Sequence, residues 1–185
     1  YEEKHLLAEA KGDIDAITSA TLKTFKDLKE LKGKVPSSKI GNMEISRLIL
    51  GGNIIGGWAH ARDLIYTDKL VKAYHTDEKV FATFHLAEQC GINTILTNPR
   101  LCRVINKYWR TEGGKIQFIS DCAHNSLMEG IKVSIDAGAH ACYVQGGIAD
   151  QLVREGKFDA IGKALDLIRK NGLPAGIGGH LLETV

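Results

Sequence analysis

The chain has 185 residues, of which 44% are hydrophobic and 25% are charged, proportions that are ordinary for a globular domain. Lys and Arg number 24 against 22 Asp and Glu, for a formal net charge of +2. The charges are interspersed, which argues against a nucleic-acid-binding protein. No run of about 18 apolar residues occurs, so no transmembrane segment is predicted. No signal peptide is visible, and because the chain begins at Tyr1 rather than Met, we expect that it has lost whatever preceded it.

The amino-terminal 35 residues contain the run Asp15-Ala-Ile-Thr-Ser-Ala-Thr21-Leu-Lys-Thr24. This run resembles the flavinylation motif of FMN-binding domains, in which a flavin transferase joins FMN through its phosphate to a threonine hydroxyl. The resemblance implies that residues 1–35 are the C-terminal remnant of such a domain and that Thr21 carries FMN covalently. A hydroxyl at a helix start suits this role, because free backbone N–H groups there favour a phosphate. The run departs from the commonest pattern at Ser19, where glycine is frequent.

The same residues also read as an ordinary capped helix. Thr18, Ser19 and Thr21 are favourable N-cap residues. An apolar stripe follows them, formed by Leu22, Phe25, Leu28 and Leu31. A helix that packs beside the next domain is therefore the alternative to flavin attachment, with residues 32–38 as a linker.

From residue 36 to residue 185 the sequence repeats a helix-and-strand unit. A hairpin is predicted over Ser38–Ser46 with its turn at Gly41 and Asn42. Glycines that follow helical patterns act as C-caps, and we expect this role of Gly91, Gly114, Gly138 and Gly172. An apolar run follows each of these glycines, and an earlier apolar run begins at Arg47. These runs predict parallel strands, in chain order and with right-handed crossovers, at 47–52, 92–97, 115–121, 139–145 and 173–179.

Two α/β architectures use such units, the open doubly wound sheet and the eightfold barrel. The glycine-rich run Gly51–Gly57 is not followed by a helical pattern, as a dinucleotide-binding turn would require, so the barrel is favoured. A barrel needs about 250 residues. Residues 36–185 are therefore predicted to be the first half of a TIM-type (β/α)8 barrel with an N-terminal helical extension, and Leu181–Val185 the opening of a fifth helix. We expect the unpaired edge of the fifth strand to make the isolated piece self-associate.

The predicted strands all end in polar residues. Because parallel strands end at the same edge of a sheet, we expect these side chains to share one pocket and to form the catalytic site: Asn53, Asn98, Asp121, Gln145 and His180. His60 and His124 are predicted at the same mouth. Asp121 and His180 suit a divalent metal; alternatively, Asp121 caps a helix that begins near Ser126. The cysteines lack metal-site spacing, and Cys122 and Cys142 are predicted to be buried free thiols.

The run Lys39-Ile-Gly-Asn-Met-Glu-Ile-Ser-Arg-Leu-Ile-Leu-Gly-Gly52 resembles the opening of an aldo/keto reductase, and Gly91-Ile-Asn-Thr-Ile-Leu-Thr97 resembles the second strand of that family. The resemblance implies a (β/α)8 barrel that reduces carbonyls with a nicotinamide cofactor. It does not extend to the family's catalytic tetrad. The aspartate, tyrosine, lysine and histidine positions fall on or near Leu96, Leu101, Asp121 and Gln145.

Three functions follow from these patterns. The first is an oxidoreductase-like protein, a reductase-type barrel that carries FMN on its amino-terminal segment and acts on a small molecule. The second is a metal-dependent barrel lyase, isomerase or hydrolase that acts on a small, carbohydrate-like substrate. The third is a binding module without catalysis.

Overall fold

The computed structural model describes residues 33–59 and 63–185. The chain divides into two units, Tyr1–Lys34 and Val35–Val185, and all elements below belong to the second. The predictions for Thr21 and the amino-terminal helix, and the one for His60, lie outside the described residues.

An antiparallel hairpin opens the second unit. Its strands are β1 (Ser37–Ile40) and β2 (Met43–Ser46), with Ile40 opposite Met43. Gly41 makes the turn with a φ of 60°, a conformation that glycine adopts without strain. The predicted hairpin is confirmed.

Five parallel strands form the main sheet, and their spatial order is their order along the chain. They are β3 (Leu50–Gly51), β4 (Thr94–Thr97), β5 (Gln117–Ser120), β6 (Ala141–Val144) and β7 (Ala175–Ile177). All five predicted strands are present, and each is shorter than predicted. Within the described ranges, β3 and β7 each pair with one neighbour and leave their outer edges free.

Seven α-helices occur among the described residues, three of them between β3 and β4. They are α1 (Asn53–Gly56), α2 (Thr67–Tyr74), α3 (Asp77–Gln89), α4 (Cys102–Glu112), α5 (Leu127–Asp136), α6 (Gly146–Arg154) and α7 (Phe158–Lys170). Two short 3-10 helices, Pro99–Leu101 and Leu182–Thr184, precede α4 and end the chain.

Three local predictions need correction. A one-turn helix, α1, directly follows Gly52, where no helix was expected. The residues from Leu181 onward form a 3-10 turn rather than the start of an α-helix. The left-handed C-cap of α4 is Gly113, with a φ of 65°, rather than Gly114. A Cβ on Gly114 would lie 1.9 Å from the Tyr108 ring, so packing explains that second glycine.

The two faces of the sheet have different partners. Side chains alternate between the faces of a strand. Ile95, Phe118 and Val144 belong to a large core built with the helices, whereas Ile119 and Ala141 pack against Met43 and Ile45 of the hairpin. Among the described residues the helices contribute to the first core alone, so helices cover one face and the hairpin covers part of the other.

Cys122 and Cys142 are buried free thiols, as predicted. None of the helices in the described ranges has the length and apolar character that crossing a membrane requires.

Close packing of α5 on the strand ends makes Gly130 a sensitive position. A Cβ there would lie 1.9 Å from the carbonyl oxygen of Cys122. We expect Gly130→Ala to lower the free energy of unfolding by about 3 kcal/mol, because overpacking a rigid backbone contact forces the helix to move. Denaturant unfolding measures the change.

Gly162→Ala is the matched control, because Gly162 also lies inside a helix and a Cβ there meets no atom within 4 Å. This change should be neutral or stabilise by up to about 1 kcal/mol. Equal effects at the two positions would contradict the packing of α5.

Candidate functional site

A cavity of about 340 Å³ opens at the carboxyl edge of the sheet. Four of the five predicted site residues line it, namely Asn53, Asp121, Gln145 and His180. They come from the ends of β3, β5, β6 and β7, which meet there because parallel strands share one direction. The fifth, Asn98, follows β4 and binds Asp121 instead of lining the cavity.

Asp121 is a half-buried carboxylate held by two donors. The Asn98 side-chain amide donates to Oδ1 at 3.1 Å, and the Ala123 backbone N–H donates to the same oxygen at 2.9 Å. Burial raises the pKa of Asp121 and outweighs these hydrogen bonds, which lower it. Asp121 therefore holds a proton to a higher pH than a solvated aspartate. It does not cap α5, because the Ser126 hydroxyl accepts from Glu129 N–H and fills that position.

Tyr143 lines the same cavity from the middle of β6. Burial, and then the negative charges of Asp121 and Cys122, raise the pKa of Tyr143 to about 12. Its phenol is therefore protonated at neutral pH and can donate a proton or a hydrogen bond. Tyr143 lies two residues before Gln145, so strand alternation could have assigned it to the same face.

His180 and Asp150 form the best-defined pair at the cavity. Asp150 lies on α6 with its side chain only 5% exposed, whereas the His180 side chain is 73% exposed. The His180 Nδ1 lies 2.7 Å from Asp150 Oδ2, and the His180 backbone N–H donates to both carboxylate oxygens at 3.1 and 3.0 Å. The pair spans 30 residues of sequence, which is why no local pattern revealed Asp150.

The charge state of Asp150 shows which atom carries the proton of the hydrogen bond between His180 and Asp150. The nearby Thr184 hydroxyl, and then the hydrogen bonds from the ring and backbone N–H of His180, lower the pKa of Asp150 to about 2, although burial acts against them. An ionised carboxylate can only accept, so Nδ1 of the imidazole carries the hydrogen. In the neutral ring, Nε2 then carries the free lone pair.

Glycine and glutamine shape the wall next to His180. A Cβ on Gly146 would lie 3.0 Å from Cε1 of His180, so the absent side chain lets the ring approach α6. Gln145 caps α6, since its Oε1 accepts from Ile148 N–H at 3.0 Å. The Gln145 amide nitrogen has no partner among the described residues and lies at the cavity wall, where it can donate to a ligand.

The described residues do not form a metal site. Within 33–59 and 63–185, no three His, Cys, Asp or Glu side chains lie close enough together to hold an ion. Asp121 and His180 are two candidate ligands, and Nδ1 of His180 is already bonded to Asp150. His124 is not among the lining residues; its Nδ1 lies 3.6 Å from Glu129.

Comparison of the chain with models of known protein families, with curated proteins and with solved structures gave no match.

The shifted pKa of Asp150 predicts acid sensitivity. A carboxyl whose pKa is lower in the folded state stabilises the fold above its unfolded pKa of about 4. This contribution is lost as pH falls through the folded value of about 2. We expect the wild type to exceed Asp150→Asn in free energy of unfolding at pH 6, with the difference shrinking between pH 4 and pH 2 in denaturant titrations. A difference that does not change with pH would contradict the assignment.

Asp121→Asn provides the opposite case. Because the pKa of Asp121 is raised in the folded state, Asp121 contributes most to the free energy of unfolding when it is protonated. The wild type therefore loses stability as the pH rises through the pKa that Asp121 has in the folded protein. The stability of Asp121→Asn relative to the wild type should therefore increase from pH 3 upward in the same titrations. A parallel response of the two variants would show that burial does not control Asp121.

Proposed function

We propose that the cavity is the active site of an acid–base enzyme that moves protons on a small hydroxylated carbonyl compound, as a sugar isomerase or lyase does. The observation that carries the proposal is the His180–Asp150 pair, a base oriented by a buried ionised carboxylate at the cavity wall. An imidazole held in one tautomer is a common arrangement for general bases.

The proposed chemistry needs no oxidant. Nε2 of His180 removes a proton from the carbon beside a carbonyl group, and the C–H electron pair becomes the C=C bond of an enediol. The carbonyl oxygen takes a proton from Tyr143 or Asp121, which both lie at the cavity and hold protons to raised pH. In an isomerisation, His180 returns its proton to the former carbonyl carbon, while the adjacent hydroxyl becomes the new carbonyl group and gives its proton to the deprotonated Tyr143 or Asp121. In an elimination, the enediol electrons expel from the next carbon a leaving group, which takes the proton from His180, while the carbonyl group re-forms and its proton returns to Tyr143 or Asp121. Burial raises the pKa of both Tyr143 and Asp121, which suits the acid role.

The cavity suits a small polar substrate. Its volume of about 340 Å³ lies near the lower end of ordinary ligand sites. Asn53 and the Gln145 amide at its wall can form hydrogen bonds to substrate hydroxyls.

We also infer that the sheet is the first half of a TIM-type barrel. Its sequential strand order supports this inference, and so does the packing of the helices of residues 33–59 and 63–185 on one face, because a doubly wound sheet carries helices on both faces. The hairpin on the other face is consistent with the resemblance to the opening of an aldo/keto reductase.

The test is deuterium exchange followed by NMR. Wild-type protein is incubated in D2O with a panel of hydroxyaldehydes, hydroxyketones and sugars, and exchange at the carbon beside the carbonyl group is measured. We expect His180→Asn to reduce exchange by at least about 100-fold, because the general base is removed. Asp150→Asn should reduce it by at least about tenfold, because the ring is no longer held in the productive tautomer.

His85→Asn is the matched control, because His85 lines a different cavity on α3 and α4. This variant should exchange at the wild-type rate. No exchange above the solvent background with any member of the panel, from a protein with a cooperative melt, would overturn the acid–base proposal in favour of a binding module.

A second candidate is the reductase expected from the two resemblances, with FMN on Thr21. Tyr143 favours it, because carbonyl reduction needs a proton donor beside the developing alkoxide and the phenol lies in the cavity. FMN, or a nicotinamide cofactor, would supply the hydride chemistry, and a flavin transferase would be the partner.

This candidate is tested by co-expressing the protein with a flavin transferase. Intact-mass spectrometry should show the addition of one FMN to the wild type and to Thr111→Ala, a control on α4. Thr21→Ala should show none. A wild type that gains no flavin, in cells where a known acceptor gains it, would make Thr21 a helix-capping residue.

A further inference from the structure

A second cavity, of about 450 Å³, lies beside α1, and none of the five predicted site residues lines it. Its wall contains Trp58, Lys72 of α2, Asp77 of α3, Arg100 and Arg103. None of its lining residues lines the first cavity. It combines three cationic side chains and an indole with one carboxylate.

The carboxylate of this basic cavity is already neutralised. Arg103 Nη2 lies 3.2 Å from Asp77 Oδ1, and Lys107 Nζ lies 2.9 Å from Oδ2. The pKa of Asp77 is accordingly lowered, chiefly by its hydrogen bond from Lys107. Two further charges remain at the wall, since the side chains of Lys72 and Arg100 have no carboxylate partner in the described part of the chain. Like charges placed together without a counter-ion repel each other and favour an anionic ligand.

Local backbone contacts position these groups. The stem of Lys72 packs on Gly57. A Cβ added to Gly57 would lie 3.0 Å from the Cβ of Lys72 and 3.3 Å from the Cδ of Lys72. The Trp58 ring covers Gly56, where a Cβ would lie 2.4 Å from the indole. Arg100 belongs to the 3-10 helix Pro99–Leu101, and its backbone N–H donates to Asn98 Oδ1 at 3.0 Å. Lys72, Trp58 and Arg100 thus each make a local contact beside the cavity.

We propose that the basic cavity binds a nucleoside phosphate, with its phosphates on Arg100 and Lys72 and its base on Trp58. A guanidinium forms paired hydrogen bonds with phosphate oxygens, and an ammonium adds a compact charge. An indole face offers a large flat surface for a planar base. This inference is independent of the reaction proposed for the first cavity.

Isothermal titration calorimetry of the purified chain with ADP, inorganic pyrophosphate and adenosine tests the proposal. We expect ADP to bind more tightly than pyrophosphate, and adenosine to bind most weakly, with the affinity for ADP falling as salt is raised. Arg100→Gln should weaken both ADP and pyrophosphate by about tenfold, the effect of losing a charge-assisted hydrogen bond. Trp58→Leu should weaken ADP and leave pyrophosphate unchanged.

Arg169→Gln is the matched control, because Arg169 is an exposed arginine on α7 that does not line this cavity. This variant should bind ADP as the wild type does. The proposal is overturned if ADP and pyrophosphate fail to bind, if they bind equally well, or if Arg100→Gln and Arg169→Gln have the same effect. Thermal melts of the variants show whether each is folded, and loss of folding in Trp58→Leu leaves the Arg100 comparison as the deciding result.

Discussion

Parallel strands that follow one another across a sheet must all end at the same edge, and this constraint organises the molecule. The direction of the backbone alone therefore places the residue after each strand at that edge, whatever contacts its side chain makes. The hairpin lies at the amino ends of β4 and β5, where the Glu44 carbonyl accepts from the side-chain amides of Asn93 and Gln117 at 3.1 and 2.6 Å. A polar cavity therefore forms at the carboxyl edge, and the apolar packing of the hairpin lies on the same face of the sheet.

Because side chains alternate along each strand, one face of the sheet packs on the helices and the other lines the first cavity. Residues such as Phe118 and Val144 point toward the helices and build the larger core, which stabilises the sheet through apolar burial. Their neighbours Asp121, Tyr143 and Gln145 follow the other period and meet at the cavity. Polar groups can lie there because the helices do not cover that face within the described ranges, so their desolvation is partial.

The strand-end residues were predictable because they depend on two strong sequence signals, the apolar runs and the glycines that follow helical patterns. Gly91, Gly138 and Gly172 have left-handed φ values of 84°, 83° and 76°, which glycine adopts more easily than any other residue. Asp150 was not predictable, since its contact with His180 depends on how α6 packs on the turn after β7. Helix α1 was missed because four residues are too few to show a helical period.

The two aspartates show how packing assigns different tasks to one side-chain type. Asp121 receives one amide and one backbone donor, and burial still dominates its pKa. Asp150 lies near the Thr184 hydroxyl and accepts from the imidazole and the backbone N–H of His180, and together these groups outweigh burial. The number and kind of donors, rather than depth alone, thus decide whether the pKa of a partly buried carboxyl is raised or lowered.

Asn98 connects the two cavities through a single side chain. Its Oδ1 accepts from the backbone of Arg100 in the basic cavity, and its Nδ2 donates to Asp121 in the first cavity at 3.1 Å. Nδ2 also donates to the Ala123 carbonyl at 2.7 Å, so the amide group is held at both ends. A ligand that displaces Arg100 would therefore act on the hydrogen bonds that oppose the raised pKa of Asp121. Linkage makes any such coupling reciprocal, because protonation of Asp121 would change affinity in the basic cavity by the same factor.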